Sequence, residues 1–292
     1  MIFLFLIFFN GLYVKEIAFS FDDAPLKSSQ FFETLHRTET LVEKLKTFNI
    51  PAAMIFANPC KKSNQQEVIS QLKKYRDAGH IIANHTCSHL RLDDTSPAEY
   101  TNDILKADKI LQPLLVGTKF FRFPYLNEGK DIKLRDQIRD WLKKNNFKNG
   151  SVSIDTDDYV FSFEMNKAKK NGNKIDLKKV EKLFVDHLLE MVKFYDELAV
   201  KNLGYSPKHV ILLHEMDVTV MFIDSFTQAL RKKGWNIISA SEAYTDKLYE
   251  ELPLNINSGN GIISQINFDK KGLKKGHHFF DFKRELRKAL GF

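Results

Sequence analysis

Cysteine is scarce in this sequence: Cys60 and Cys87 are the only two in 292 residues. A chain this long and this poor in cysteine is not a disulfide-held scaffold. It contains no Cys-x-x-Cys pair, so a thiolate zinc site of the usual spacing is excluded. Both cysteines are expected to be small buried residues with free thiols. Long apolar runs are lacking as well. The run from Ile2 to Phe9 is too short to span a bilayer, and no membrane span is expected. It fits the apolar part of a signal peptide, although no Lys or Arg precedes it and no clear small-x-small cleavage site follows. The other reading is a buried N-terminal strand. Residues 1–16 are therefore expected to be a signal peptide or an apolar N-terminal segment. Export to the periplasm, envelope or exterior is the expectation, with the cytoplasm as the alternative. Nucleic-acid signatures are also missing. The net charge of +7 comes from basic residues scattered over the predicted helices, so no nucleic-acid partner is expected.

What is present is ordinary for a globular protein: 43% hydrophobic and 28% charged residues. Seven strand–helix units follow one another without an internal linker. The predicted strands are Ile17–Phe21, Ala52–Ala57, Ile81–Ala83, Lys119–Phe123, Ser151–Ile154, Val210–Leu213 and Asn236–Ser239. Helices are predicted between them. One is opened by the capping box of Ser96 and Glu99 with Pro97 at its first position. A long one runs from Asp176 to Asn202, and the stretch Lys167–Lys174 before it reads as a solvated loop. Such alternation predicts a mainly parallel α/β sheet, either closed as a barrel or open and doubly wound. Residues 251–292 show no clear period and are expected to pack on the outside as a C-terminal extension, with residues 17–250 as the catalytic domain.

The chemistry gathers at one end of this pattern. The first strand ends on Asp22-Asp23-Ala24-Pro25, where two adjacent carboxylates could serve one site or simply sit in an acidic turn. His85 and His89 follow the third strand at a spacing that puts two imidazoles on one side of a helical turn. With Asp23 they make a three-ligand N/O set that leaves a position open for water, as in catalytic zinc sites. Arg122 lies between aromatic residues after the fourth strand and needs a partner if buried, for which Asp22 is the natural one. Asp155 and Asp158 follow the fifth strand. His214 follows the sixth, as either a core histidine or a site residue. Five of seven strands thus end in charged or imidazole groups, and in barrels of this kind the chemistry sits at those ends.

In order, Ser20-Phe21-Asp22-Asp23, His85-x-x-x-His89, Arg122-Phe123-Pro124-Tyr125, Asp155-x-x-Asp158-Tyr159 and Leu212-Leu213-His214 resemble the five motifs of the polysaccharide deacetylases, the NodB-homology or carbohydrate esterase family 4 enzymes. The resemblance spans roughly residues 17–240. It implies a distorted (β/α)7 barrel and metal-dependent removal of N-acetyl groups from amino sugars of a glycan. It further implies a divalent metal, zinc, held by Asp23, His85 and His89. Asp22 would be the general base, oriented by Arg122, and would have a low pKa. The Tyr125 backbone N–H would help hold the oxyanion. His214 would be the general acid, set by Asp158, and Tyr159 would line the sugar site, with Asp155 a weaker member. Four positions depart from the usual pattern: Ala24 for Gly, Leu90 for Pro, Tyr159 for Trp, and Glu215 for Asp. Two other readings accompany this one: a hydrolase of another amide, such as a cyclic imide or ureide, and a non-catalytic carbohydrate-binding protein on the same fold.

Overall fold

A computed structural model describes residues 14–61, 64–256, 259–271 and 280–292. The run Ile2–Phe9 lies outside them. Among the described residues the strands are β1 Lys15–Ala24, β2 Met54–Ala57, β3 Ile81–Asn84, β4 Lys119–Phe121, β5 Phe147–Asn149, β6 His209–His214 and β7 Trp235–Ile237. The helices are α1 Thr34–Thr47, α2 Gln65–Asp77, α3 Pro97–Leu111, α4 Ile132–Lys144, α5 Asp158–Lys170, α6 Leu177–Leu203, α7 Asp217–Lys232, α8 Ala240–Ala243, α9 Ile262–Lys271 and α10 Phe280–Ala289. No helix among the described residues is long and apolar enough to cross a membrane.

All strand pairs are parallel, in the order β5-β4-β3-β2-β1-β6. β7 pairs with the first residues of β1, beside Ile17. The chain after β5 turns across to β6, where Ile154 bridges Ile211. One short segment, 147–154, therefore bonds to both ends of the sheet. This is a distorted barrel, joined there by a single bridge and not by a full ladder. The predicted fifth strand is displaced for the same reason. The ladder runs over Phe147–Asn149, while Ser151–Ile154 serves as the crossing.

β1 is the central strand, and its two faces differ. Phe19 and Phe21 are buried on the outer face, where Phe19 stacks on Phe226 of α7 at 5.8 Å. Ser20 faces the interior, donates to the Ile211 carbonyl at 2.7 Å and accepts from Arg122. Alternation puts Asp22 on that interior face and would send Asp23 to the other. The register of β1 against β2 instead shifts between Phe21 and Ala24, and Asp23 takes φ 69°. This irregularity turns the second carboxylate back toward the first.

α3 begins with the expected box: the Ser96 side chain accepts from the Glu99 N–H, and Glu99 accepts from the Ser96 N–H. α5 takes in the first half of the expected loop at 167–174, because Phe161, Met165 and Ala168 recur at helical spacing and are buried. The C-terminal helices are not merely draped outside. Ile262, Ile263, Ile266, Leu286 and Leu290 belong to the main buried core. The two cysteines, expected to be free, are joined. Cys60 and Cys87 form a disulfide with Cα atoms 4.9 Å apart, because the Cys60 N–H donates to the Cys87 carbonyl and draws the loops after β2 and β3 together.

Candidate active site

A cavity of about 360 Å³ opens at the C-terminal ends of the strands. Asp22, Asp23, His85, His89, Tyr125, Asp155, Tyr159 and His214 all line it. The sequence-predicted residues therefore meet in one place. Arg122 and Asp158 stand just behind the wall, fully buried.

Arg122 is committed on every side. Nη1 donates to Asp22 Oδ1 at 2.5 Å, Nε to the Gly150 carbonyl at 2.7 Å, and Nη2 to Ser20 Oγ and Tyr244 Oη. Its guanidinium also stacks over Phe56 at 3.8 Å from the ring centroid. A side chain at Gly150 would strike that ring, with Cβ only 2.4 Å from it, so glycine is required here. The Asp22 carboxylate is thereby oriented, yet its pKa stands above the ordinary value. Burial raises it by more than Arg122 and His214 lower it. The expectation of a low value rests on a bound dication as well as on Arg122, and this balance is that of the side chains alone.

Asp23, His85 and His89 bring one ligand atom each to within 4.8 Å of one another. His85 Nδ1 lies 2.9 Å from the Arg122 carbonyl, which fixes the proton on Nδ1 and leaves Nε2 bare. Burial pushes both imidazoles down to about 3, so both are neutral. Burial would raise Asp23, but the charges of Lys61 and of His214 hold it well below the usual carboxylate range. Lys61 Nζ sits 2.8 Å from Asp23 Oδ1. Two neutral imidazole nitrogens and one carboxylate are a donor set suited to a divalent metal such as zinc.

β6 places His214 opposite Asp22 in the strand register. His214 Nδ1 meets Asp158 Oδ1 at 2.6 Å, while Asp158 Oδ2 accepts the His214 N–H and the Thr219 hydroxyl. Burial alone would lower the imidazole, but the Asp158 carboxylate outweighs it and raises the pKa to about 9. His214 is therefore protonated at neutral pH. Asp155 is raised to about 7, first by burial and then by Asp157.

Backbone strain collects here. Asp23, Thr86, His89, Tyr125, Leu126 and Asp157 all have positive φ. Non-glycine residues tolerate this only where surrounding contacts enforce it, as around functional sites. Tyr125 is half exposed and packs edge-on to His89 at 4.4 Å between centroids. Asp157, Phe163 and Met216 also line the cavity and were not singled out from the sequence. Phe163 would have been found from its four-residue spacing to Tyr159, had α5 been read as a helix.

The family described as polysaccharide deacetylase matches residues 11–148, a span that ends before Asp158 and His214. A peptidoglycan-N-acetylglucosamine deacetylase of Bacillus cereus is 33% identical over 153 residues, which is 52% of this chain and 49% of that protein. The chain thus spans about half the length of this curated relative. Among solved structures, the Bc1960 peptidoglycan N-acetylglucosamine deacetylase has a TM-score of 0.53 at 24% identity, covering 79% of this chain and 88% of that one. The polysaccharide deacetylase Bc1974 of Bacillus cereus has a TM-score of 0.55 at 20% identity, covering 77% and 91%. At these identities the structural likeness establishes the distorted-barrel fold. In sequence, residues 11–148, just under half of the chain, are similar to the polysaccharide deacetylase family.

Proposed function

We propose that this chain is a metal-dependent hydrolase of carbon–nitrogen bonds that removes N-acetyl groups from the amino sugars of an envelope glycan, acting as an exported protein. One observation carries the reading. The cluster of Asp23, His85 and His89 opens into the same cavity as an oriented carboxylate, Asp22, and a protonated imidazole, His214. Amide hydrolysis needs all three functions within reach of one carbonyl.

A divalent ion held by Asp23, His85 and His89, zinc in our assignment, would polarise the amide carbonyl and lower the pKa of a nearby water to about 7. Asp22 takes the proton of the attacking water. Arg122 leaves one Asp22 oxygen free for this by occupying the other. The Tyr125 N–H faces the developing oxyanion, a kind of contact worth roughly 2.7–4 kcal/mol in other hydrolases. His214 gives its Nε2 proton to the departing nitrogen while Asp158 holds Nδ1. Tyr159 borders the sugar ring.

The test is a substrate panel. N-acetylglucosamine oligomers should release acetate, while small cyclic imides and ureides should be untouched. Turnover of the cyclic amides without acetate release would replace this reading with the other amide hydrolase. Tight glycan binding without turnover of any amide would replace it with a carbohydrate-binding protein.

A further inference from the structure

One short turn after β2 touches the backbone beside all three candidate metal ligands. The Asn58 N–H donates to the Ala24 carbonyl at 3.2 Å, directly after Asp23. The Asn58 side-chain amide donates to the His85 carbonyl and, at 3.1 Å, to the Thr86 carbonyl. The Cys60 N–H and the disulfide tie the turn to Cys87, midway between His85 and His89. The Lys61 N–H donates back to the Asn58 carbonyl at 3.3 Å and closes the turn.

This turn ends on Lys61, whose Nζ lies 2.8 Å from Asp23 Oδ1. His89 Nε2 approaches the same oxygen at 3.2 Å. The oxygen that faces a ligand imidazole therefore also carries an ammonium. The Asp23 side chain is 11% exposed and that of Lys61 28% exposed, so the pair is largely withdrawn from water. A carboxylate so buried is costly without a cation beside it. An ammonium and a divalent metal both meet that need, and they repel each other. A surface lysine loses much of such a contact to the entropy of holding its loop and side chain in place. Here the residue before Lys61 is already fixed by the disulfide, which leaves less to order.

We propose that Lys61, held in place by the Cys60–Cys87 bridge, is a resident counter-ion for Asp23 that neutralises this carboxylate in the metal-free protein and competes with a divalent ion for it. The proposal rests on the metal reading above and adds that the turn at 58–61 sets how tightly the site holds its ion. Lys61 acts through Asp23 and is a positioning residue. A cation beside a carboxylate lowers its proton affinity by about 10- to 1,000-fold. A dication on the same group meets the same repulsion, so removing the ammonium should tighten metal binding by about tenfold or more.

The test is a zinc titration of metal-free protein against a competing chromogenic chelator, which reads the dissociation constant without any substrate. Lys61→Met keeps the length of the side chain and removes its charge, and should bind zinc about tenfold or more tightly than the native chain. Lys61→Arg keeps the charge and should stay close to native. Saturating zinc should raise the unfolding temperature more for Lys61→Met than for the native chain, because the tighter site gains more from its ion. With Cys60→Ala and Cys87→Ala in place, Lys61→Met should change the zinc constant less, since the ammonium is no longer held over Asp23. Unchanged or weaker zinc binding by Lys61→Met, an arginine variant that matches the methionine one, or an undiminished gain without the bridge would overturn the proposal. If the bridge-free chain does not fold, the single variants decide. One bound ion with equal constants in both chains removes this proposal alone, while no bound ion on the native chain removes the metal reading and this proposal with it.

Discussion

Replacing Asp158 by Asn should uncouple His214 from its charge. In the native protein the carboxylate accepts three bonds, from His214 Nδ1, the His214 N–H and the Thr219 hydroxyl. It is wholly buried, and the His214 side chain is 17% exposed. The imidazole rises from 6.5 to about 9 despite its burial. At about 1.4 kcal/mol per pH unit of displacement, this represents roughly 3 kcal/mol. The sign follows from linkage. A folded-state pKa raised above the unfolded value gives stability that is complete below about pH 6.5 and is lost as pH rises through about 9. Asn keeps the shape and can still accept from the His214 N–H and Thr219 with its oxygen. Its amide then faces Nδ1, which must accept and so favours neutral imidazole, and burial now acts unopposed. Urea unfolding of metal-free protein at pH 6 and pH 10 should show that the native chain loses roughly 3 kcal/mol more than Asp158→Asn between the two. An NMR titration should move the His214 pKa from about 9 to below 6.5. Acetate release near neutral pH should fall on the order of 100-fold, the lower range for loss of a general acid. A variant that keeps the high His214 pKa, or the native pH dependence of stability, would refute the reasoning.

His214→Ala should keep its metal, and its defect should shrink on amides with better leaving groups. An equal loss on every leaving group would show that His214 is not the acid. Glu215 accepts from the Leu26 N–H, Thr38 and Tyr75 in the core. Glu215→Ala should therefore destabilise by roughly 3 kcal/mol or more in urea unfolding and Glu215→Gln by less, at a cost of about 1–3 kcal/mol per stranded donor. A loss under about 1 kcal/mol for the alanine variant would contradict this. The Cys60–Cys87 bridge spans a separation of 27 residues, for which chain entropy gives about 3.5 kcal/mol. Reduction should lower stability by that order, and two free thiols in the unreduced, denatured protein would rule the bridge out.

Much of the site was legible in the sequence because its chemistry sits at strand ends that polarity marks clearly. Asp22, His85 and His214 stand at the ends of apolar strands, Asp23 and His89 lie one and four residues further on, and the barrel brings such ends together. The Arg122–Asp22 pair followed from the cost of burying a lone guanidinium. The misses have physical reasons of their own. Ser151–Ile154 has strand composition, but its hydrogen bonds go across to β6, and periodicity carries no information on pairing. The disulfide depends on two loops approaching across the sheet, which spacing along the chain does not reveal. Lys61 at Asp23 comes from a polar loop with no pattern to mark it.

The central claim is that Asp23 holds a metal which the reaction requires while the adjacent Asp22 handles a proton. The most direct measurement titrates zinc into metal-free native protein, Asp22→Asn and His89→Ala, reading bound metal and acetate release from N-acetylglucosamine oligomers together. The native chain should gain activity in step with one bound ion, Asp22→Asn should bind one ion and stay inactive, and His89→Ala should bind substoichiometrically. Activity that persists without metal, or loss of the metal from Asp22→Asn, would contradict the account.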